Sequence, residues 1–405
     1  MKSIHAIFLA LLTTVLLLPA GAWAASSENV LYTFQGGSDC APYGSLILDA
    51  AGNLYGTTYG GRGVNGEVYK LSPDGGTYTK TTIYSFAGGS DGRNPVLGLV
   101  RDTAGNLYGT TPIGGTANRG VVYELSPNGS GWTETVLYAF SGGNDGAIPY
   151  SGVIFDQAGN LYGTASQGGA NGNGVVFKLT PGANGWTESV LYAFTGGNDG
   201  SWPQGNILFD PAGNLYGATM QGGVDGWGTA YKLIPANGGW TEATLYGFTN
   251  GDDGSQPQAG LIRHPSGVLY GTANGGGSGQ AGVVFQLRPY PTVQPNATAG
   301  WQETPIYSFT GGNDGAGSDT GMVFDQAGNL DGTAQEGGSG GFGVVYQLTP
   351  GSSGWTQNLL YSFTGGSDGG FPESTVALDS AGNLYGTTVA GGAGCGVVYQ
   401  IVSQR

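Results

Sequence analysis

After the N-terminal segment, the apolar residues fall in short runs bounded by Gly, Pro, Asn or Asp clusters, and the same series of runs returns every fifty-odd residues. The stretch AGNLYGTT stands at 51–58, 104–111 and 381–388, with close variants between. One unit reads roughly LYxF, GGxDGxxP, LxxDxAGNLYGTT, GG, GVVYxLxP, GWTE and then LYxF again. The tyrosines of LYxF are Tyr32, Tyr84, Tyr138, Tyr192, Tyr246, Tyr307 and Tyr361, spaced by 52, 54, 54, 54, 61 and 54, which makes seven units. Each unit holds four runs with strand character. In the third they are SGVIF ending at Phe155, NLYGTA from Asn160, GVVFKL from Gly174, and Trp186–Phe194. No later stretch shows an apolar 3.6-residue period. Four antiparallel strands repeated seven times predict an all-β fold, a seven-bladed β-propeller, in which radial repetition leaves only short, protected strand edges.

Lettering the strands of a blade A to D outward from the axis, the chain begins with a lone D strand around Val30–Phe34 and ends with strands A, B and C at 374–402. The N-terminal strand is therefore expected to pair with the C-terminal blade and close the ring. Cys40 follows that first strand and Cys395 opens the last C strand, so the pairing would bring both to one end of the blade. A bond across about 355 residues would contribute on the order of 5 kcal/mol through loop entropy; the alternative is two unpaired, small apolar residues. Asp-x-Ala-Gly-Asn, as in Asp156–Asn160, reads as the A–B hairpin turn, with Asp capping local amides and Gly in the left-handed position. The fifth unit replaces it with His264, Pro265, Ser266 and Gly267, and the sixth has Asp331 where Tyr162 and its equivalents stand. Trp132, Trp186, Trp240, Trp301 and Trp355 open strand D, with Tyr78 in the same slot, and are expected in the core together with the LYxF aromatics.

Composition agrees with this reading. The 83 glycines among 405 residues occupy fixed turn slots, and charged residues are only 10%, so the exterior must be built largely from Gly, Ser, Thr and Asn. Lys2, an apolar run over 7–18 and Ala22-Trp23-Ala24 have the form of a signal peptide spanning 1–24, cleaved before Ala25; the propeller domain is then 25–405. Losing one of 12 basic residues and none of 27 acidic ones moves the formal charge from −15 to about −16, which disfavours nucleic acid and anionic membrane surfaces. No second apolar stretch, sorting tail or lipid-attachment Cys follows, so a free monomeric protein without membrane insertion, secreted or periplasmic, is expected.

The pattern GNLYGTT, GG, GxGVVYKL, P and a closing LYSF resembles the GloVer (Gloeobacter and Verrucomicrobia) tandem repeat over nearly the whole mature chain. The resemblance implies a secreted or surface bacterial protein and no established activity. The order of GG, Tyr and Trp is similar to kelch repeats, and the D-x-A-G-N-L-Y turn to those of NHL and gluconolactonase-type propellers, over short stretches.

Function should lie where the units differ, on the face carrying the D–A and B–C loops. Three sets of positions stand out there. Asp39, Asp91, Asp145, Asp199, Asp253, Asp314 and Asp368 of GGxDG would form a ring able to attract Ca²⁺ or a cationic ligand; as turn residues they would instead bond local amides. The residue before strand C is Asn65, Arg119, Asn173, Trp227, Ala281, Phe342 and Cys395 in turn. Around the Pro of DGxxP, Ile148, Trp202 and Phe371 share one slot, and Tyr43 and Tyr150 another. Trp202 and Trp227 belong to one unit and could form a platform for a sugar ring or a peptide side chain, or could simply cover the loops of the adjacent blade. His264 is the only histidine of the mature chain and lies in a turn on the opposite face, which argues against a Ser-His-Asp triad or a His-rich metal site. The primary expectation is a non-catalytic binding or scaffolding module for a glycan or peptide. The alternatives are a carboxylate- or Ca²⁺-assisted hydrolase or lactonase at the top of the central channel, and a purely structural extracellular repeat.

Overall fold

A computed structural model describes residues 26–290 and 300–402. The expected signal segment, 1–24, and most of the Pro-rich connection at 289–300 lie outside the described residues. Within them there is no helix, and the chain forms seven antiparallel sheets, each with the strand order A-B-C-D. In blade 3 these strands are Ile154–Phe155, Leu161–Ala165, Val175–Gly182 and Gly185–Ala193. The ring closes as expected: Ser27–Thr33 pairs with Val397–Val402, Ser27 opposite Val402 and Thr33 opposite Val397. Blade 4 adds a short strand, Ser201–Pro203, on the edge of Leu215–Gln221.

The LYGTT segment becomes strand B, buried along its whole length. Its glycine is required by a close approach inside the blade: a Cβ on Gly163 would lie 2.7 Å from the Phe177 ring, and one on Gly217 would lie 2.4 Å from the Tyr231 hydroxyl. The ring that this glycine admits then meets the closing Phe of the preceding blade edge to face. Phe140 meets Phe177 at 5.2 Å, and Phe194 meets Tyr231 at 5.1 Å. Such pairs contribute roughly 0.5–1.5 kcal/mol each beyond area burial. Seven apolar clusters result, and each straddles two neighbouring blades. The core therefore belongs to the junctions. The tryptophans opening strand D are half-buried at the edges of these clusters; Trp301 and Trp355 meet Tyr216 and Tyr270 edge-on at 6.2 and 5.7 Å.

A bulge recurs in strand D. Val176 faces Tyr192 while Phe177 faces Val190, leaving Leu191 unpaired, and the other six blades repeat the shift. Bulges re-aim side chains, and this one releases the LYxF tyrosine from strict alternation. The A–B turns are as the sequence predicts. Asp156 accepts from the amides of Ala158 and Asn160 at 2.8 and 2.9 Å, with Gly159 at φ 81°. Tyr162 adds its hydroxyl at 3.0 Å. In blade 5 the His264 turn survives, its Nδ1 paired with Ser266. In blade 6 the buried Asp331 accepts from Gln347 at 2.8 Å.

Cys40 and Cys395 are bonded, with Cα atoms 4.6 Å apart. The bond locks the seam where the first strand meets the last blade. A disulfide accords with an oxidising environment, and among the described residues no helix is long and apolar enough to cross a membrane.

Each junction also carries one polar pair that the repeat does not advertise. Glu134, Glu188, Glu242, Glu303 and Glu28 on strand D face Asp91, Asp145, Asp199, Asp253 and Asp368 of the loop entering the same blade. Burial first, then that neighbouring charge, raises the glutamates from 4.5 to about 7, or about 8 for Glu303; a side-chain hydrogen bond from Thr244 partly opposes this at Glu242. In the two remaining blades the slot holds Gln357, which donates to the Asp314 carbonyl at 2.7 Å, and Lys80, which pairs with Asp39 at 2.8 Å.

Cys395→Ser should lower stability in denaturant titrations by about 2–5 kcal/mol; an unchanged midpoint would show that strand pairing alone secures the seam. The folded glutamates hold their protons to higher pH than unfolded ones, so their contribution is complete below about pH 4.5 and is lost as pH rises through about 7. The melting temperature should therefore fall between pH 5 and pH 8.5. Glu188→Gln combined with Glu242→Gln should flatten that fall, and a pH-independent melting temperature in the parent protein would refute the account.

Candidate functional site

Every junction is strapped on the D–A face by one backbone hydrogen bond. The amide just before the Pro slot donates to the carbonyl of the residue before strand C in the preceding blade. Ile148 donates to Arg119 at 2.8 Å, Trp202 to Asn173 at 3.0 Å, Gln256 to Trp227 at 2.9 Å and Phe371 to Phe342 at 2.8 Å. At the seam Ala41 donates to Cys395 at 3.1 Å, so the disulfide reinforces the same strap covalently. The donor residue is left-handed throughout, from Ala41 at φ 57° to Phe371 at 55°, including the β-branched Ile148 at 56°. Outside glycine that conformation costs roughly 1–2 kcal/mol and persists where surrounding contacts over-determine it.

The residues two positions beyond the left-handed donors, just past the Pro slot, face the axial cavity. Those residues are Tyr43, Val96, Tyr150, Gln204, Gln258, Asp319 and Glu373, one from each unit, and together they line a single cavity of about 460 Å³ at the mouth of the central channel. Tyr59, at the end of strand B in blade 1, joins them and meets Tyr43 edge-on at 5.7 Å. The wall below is tight: the Gly152 amide donates to Asn206 Oδ1 at 2.9 Å, and a Cβ on Gly205 would lie 2.4 Å from the backbone of Ala259.

Two carboxyl groups stand in this ring where other units carry Tyr, Val or Gln. Burial first, then the charge of Glu336, pushes Asp319 up to about 6, against the lowering effect of its own backbone amide; its Oδ1 is shut off from solvent and accepts no hydrogen bond among the described residues. Burial also pushes Glu373 up to about 7, opposed by the Gln335 amide that donates to it and reinforced by Asp319. Tyr43 and Tyr150 are raised by burial and by neighbouring acidic groups. No Lys, Arg or His lines the cavity among the described residues.

The residues singled out in the sequence are distributed as follows. Tyr150 reaches the cavity. Phe342 and Phe371 meet at 5.5 Å across the strap between blades 6 and 7. Trp202 and Trp227 sit at different junctions, before and after blade 4, and Trp227 is 38% exposed. Arg119 and Phe342 lie over Gly142 and Gly365 of the following loop, where a Cβ would come within 2.9 and 2.5 Å of them. The GGxDG aspartates lie at the ends of the outermost strands and accept local donors. Asp199 takes the Tyr192 hydroxyl at 2.9 Å, the Thr195 amide at 2.7 Å and the Thr195 hydroxyl at 2.6 Å. Asp145, Asp253, Asp314 and Asp368 repeat this set with Ser141, Thr249, Thr310 and Thr364. Asp91 keeps the tyrosine and the amide of Ala87. Among the described residues no group of three or more His, Cys, Asp or Glu is placed to hold a metal ion. Asp319 and Glu373 went unnoticed in the sequence, although a signal was present: both depart from the repeat at one slot, and unit 6 also replaces the Pro with Ser318.

The pattern described as the Gloeobacter/Verrucomicrobia repeat matches residues 23–140 and 130–311. No curated protein matches the chain. Among solved structures, a protein of Bacteroides uniformis provisionally named a 6-phosphogluconolactonase aligns with a TM-score of 0.50 at 12% identity, covering 78% of this chain and 83% of its own. The GH93 α-L-arabinofuranosidase of Fusarium graminearum, in complex with arabinobiose, gives 0.49 at 13%, covering 94% and 98%. A Thermus thermophilus protein provisionally named an oxidoreductase (glucose dehydrogenase) gives 0.47 at 14%, covering 93% and 100%. At these identities the likeness concerns the fold alone.

The strap makes a stability prediction. Gly317 already occupies the left-handed slot in unit 6, so Gln256→Gly should stabilise the protein by about 0.5–1 kcal/mol, whereas Gln256→Val should destabilise it. Urea titration of both variants measures the difference, and a loss of stability in the glycine variant would contradict the assignment of strain.

Proposed function

The chain belongs to the Gloeobacter/Verrucomicrobia repeat family, and on that footing we propose that it is an exported binding propeller, secreted or periplasmic, whose ligand is a glycan seated at the mouth of the central channel. The observation that carries this reading is the slot after the strained turn. A position needed by the scaffold would keep one residue type in every unit, whereas this one holds Tyr, Val, Gln, Asp or Glu and converges from all seven units on one cavity. Tyrosine rings beside amides and carboxyls combine flat apolar surface with a few fixed hydrogen-bonding groups, which is how pockets recognise polar small molecules. A hydrolytic role for the same cavity is the second reading, favoured by Asp319 and Glu373, which break the repeat where the GGxDG aspartates follow it.

A ligand that binds only the folded state must raise the unfolding midpoint. In a calorimetric screen against oligosaccharides, at least one should do so, and Tyr150→Ala and Gln204→Ala should abolish the shift while Trp227→Ala leaves it intact. Loss of the shift in Trp227→Ala alone would move the site out to the rim, and no shift with any saccharide would leave the scaffolding role ahead. Release of reducing ends during the same incubations would establish hydrolysis.

A further inference from the structure

We propose that the ligand of the channel-mouth cavity carries a protonated primary amine, as a de-N-acetylated amino sugar does, held between the carboxylates of Asp319 and Glu373 beside the rings of Tyr43, Tyr59 and Tyr150. This inference rests on the glycan-binding reading and narrows it to one class of sugar.

The protein holds an ammonium group in this way elsewhere. In blade 1 the Lys80 Nζ lies 2.8 Å from Asp39 and is ion-paired with Glu67, and it sits 5.9 and 5.8 Å from the ring centroids of Tyr32 and Tyr69. Two carboxylates and two tyrosines thus surround one cation. The cavity repeats that set of groups, one Asp and one Glu among tyrosines, without a basic side chain in its lining. An aromatic face attracts a cation more strongly once water is removed. Asp319 and Glu373 both line the cavity, and Gln335 already donates to one oxygen of Glu373; an ammonium group supplies three further donors to carboxylates so placed. The remaining lining, with Gln204, Gln258 and Thr320, suits the hydroxyl groups of a sugar ring better than an extended peptide. The formal charge of −15 draws cations toward the molecule as a whole.

Protonation separates this from generic sugar binding. The titratable groups facing the bound amine are Asp319, Glu373, Tyr43, Tyr59 and Tyr150, with Glu336 adjoining Asp319. Between pH 7 and pH 4.5 an amino sugar only gains positive charge while the two carboxyls take up protons, so a fall in affinity across that interval reports loss of the carboxylates.

The test is isothermal titration of the full mature protein with a glucosamine tetrasaccharide, its N-acetylated form and a neutral glucose tetrasaccharide, at pH 7 and pH 4.5. At pH 7 the amine-bearing sugar should bind at least about tenfold more tightly than either counterpart, and it should lose about tenfold at pH 4.5 or in Asp319→Asn or Glu373→Gln. The amide variants preserve size, and their unfolding midpoints report whether they fold. Equal binding of all three sugars, unaffected by these substitutions, would overturn the amine while leaving glycan binding standing. Binding of a lysine-rich peptide in place of the amino sugar would overturn the choice of a saccharide. If no sugar binds at either pH, the glycan reading itself fails.

Discussion

The hydrogen bond from the residue before proline to the carbonyl ahead of strand C in the preceding blade does two jobs at once. It ties each blade to its neighbour, and its donor must adopt a left-handed turn to make it. That turn sets the direction of the side chain two residues on, past the Pro slot, which lines the axial cavity. Scaffold closure and pocket lining are therefore consequences of one strained backbone geometry repeated around the ring. The chain breaks only within blade 7, between its last C strand and its N-terminal D strand, and there strand pairing and the Cys40–Cys395 bond back up the strap.

Between the straps and the A–B turns, the junctions are filled by rings. The glycine of strand B lets a Tyr or Phe of strand C lie across its own sheet, and the last Phe of the preceding blade packs on that ring. Because this core belongs to pairs of blades, no blade buries its apolar face alone, as is general for repeat architectures. Charge follows the same logic. Five junctions place Glu against Asp, one substitutes the neutral Gln357 and one the cationic Lys80. Protonation and the amide remove a second negative charge from a partly desolvated site, and the Lys80 ammonium instead pairs with both Asp39 and Glu67.

The channel mouth puts the Asp, Glu and Tyr groups that surround Lys80 to a different use. At Lys80 they enclose a side chain of the protein itself, whereas at the axis Asp319 and Glu373 line a cavity free of basic side chains among the described residues. The two carboxyls come from consecutive units, and Gln335 of the intervening blade holds one of them. Unit 6, which lacks both the Pro and the strand-B tyrosine, is the least regular of the seven and contributes Asp319.

The sequence by itself determined the fold: the blade count from the LYxF spacing, the strand order from the runs between Gly-rich turns, the A–B turn from Asp-x-Ala-Gly-Asn, and closure at the two cysteines. These are legible because periodicity and turn chemistry act over a few residues and recur seven times. Placement around the axis is a different kind of fact. The GGxDG aspartates recur so regularly that they suggest a central ring, yet the bulge in strand D turns each tyrosine onto its aspartate at the outer edge. Trp202 and Trp227 are neighbours in one unit but belong to different straps. Residues 43, 150, 319 and 373 lie far apart in the chain and share a cavity only because seven left-handed turns point inward together. Only the tertiary structure decided that convergence, since it depends on the closure of the ring and on no local segment.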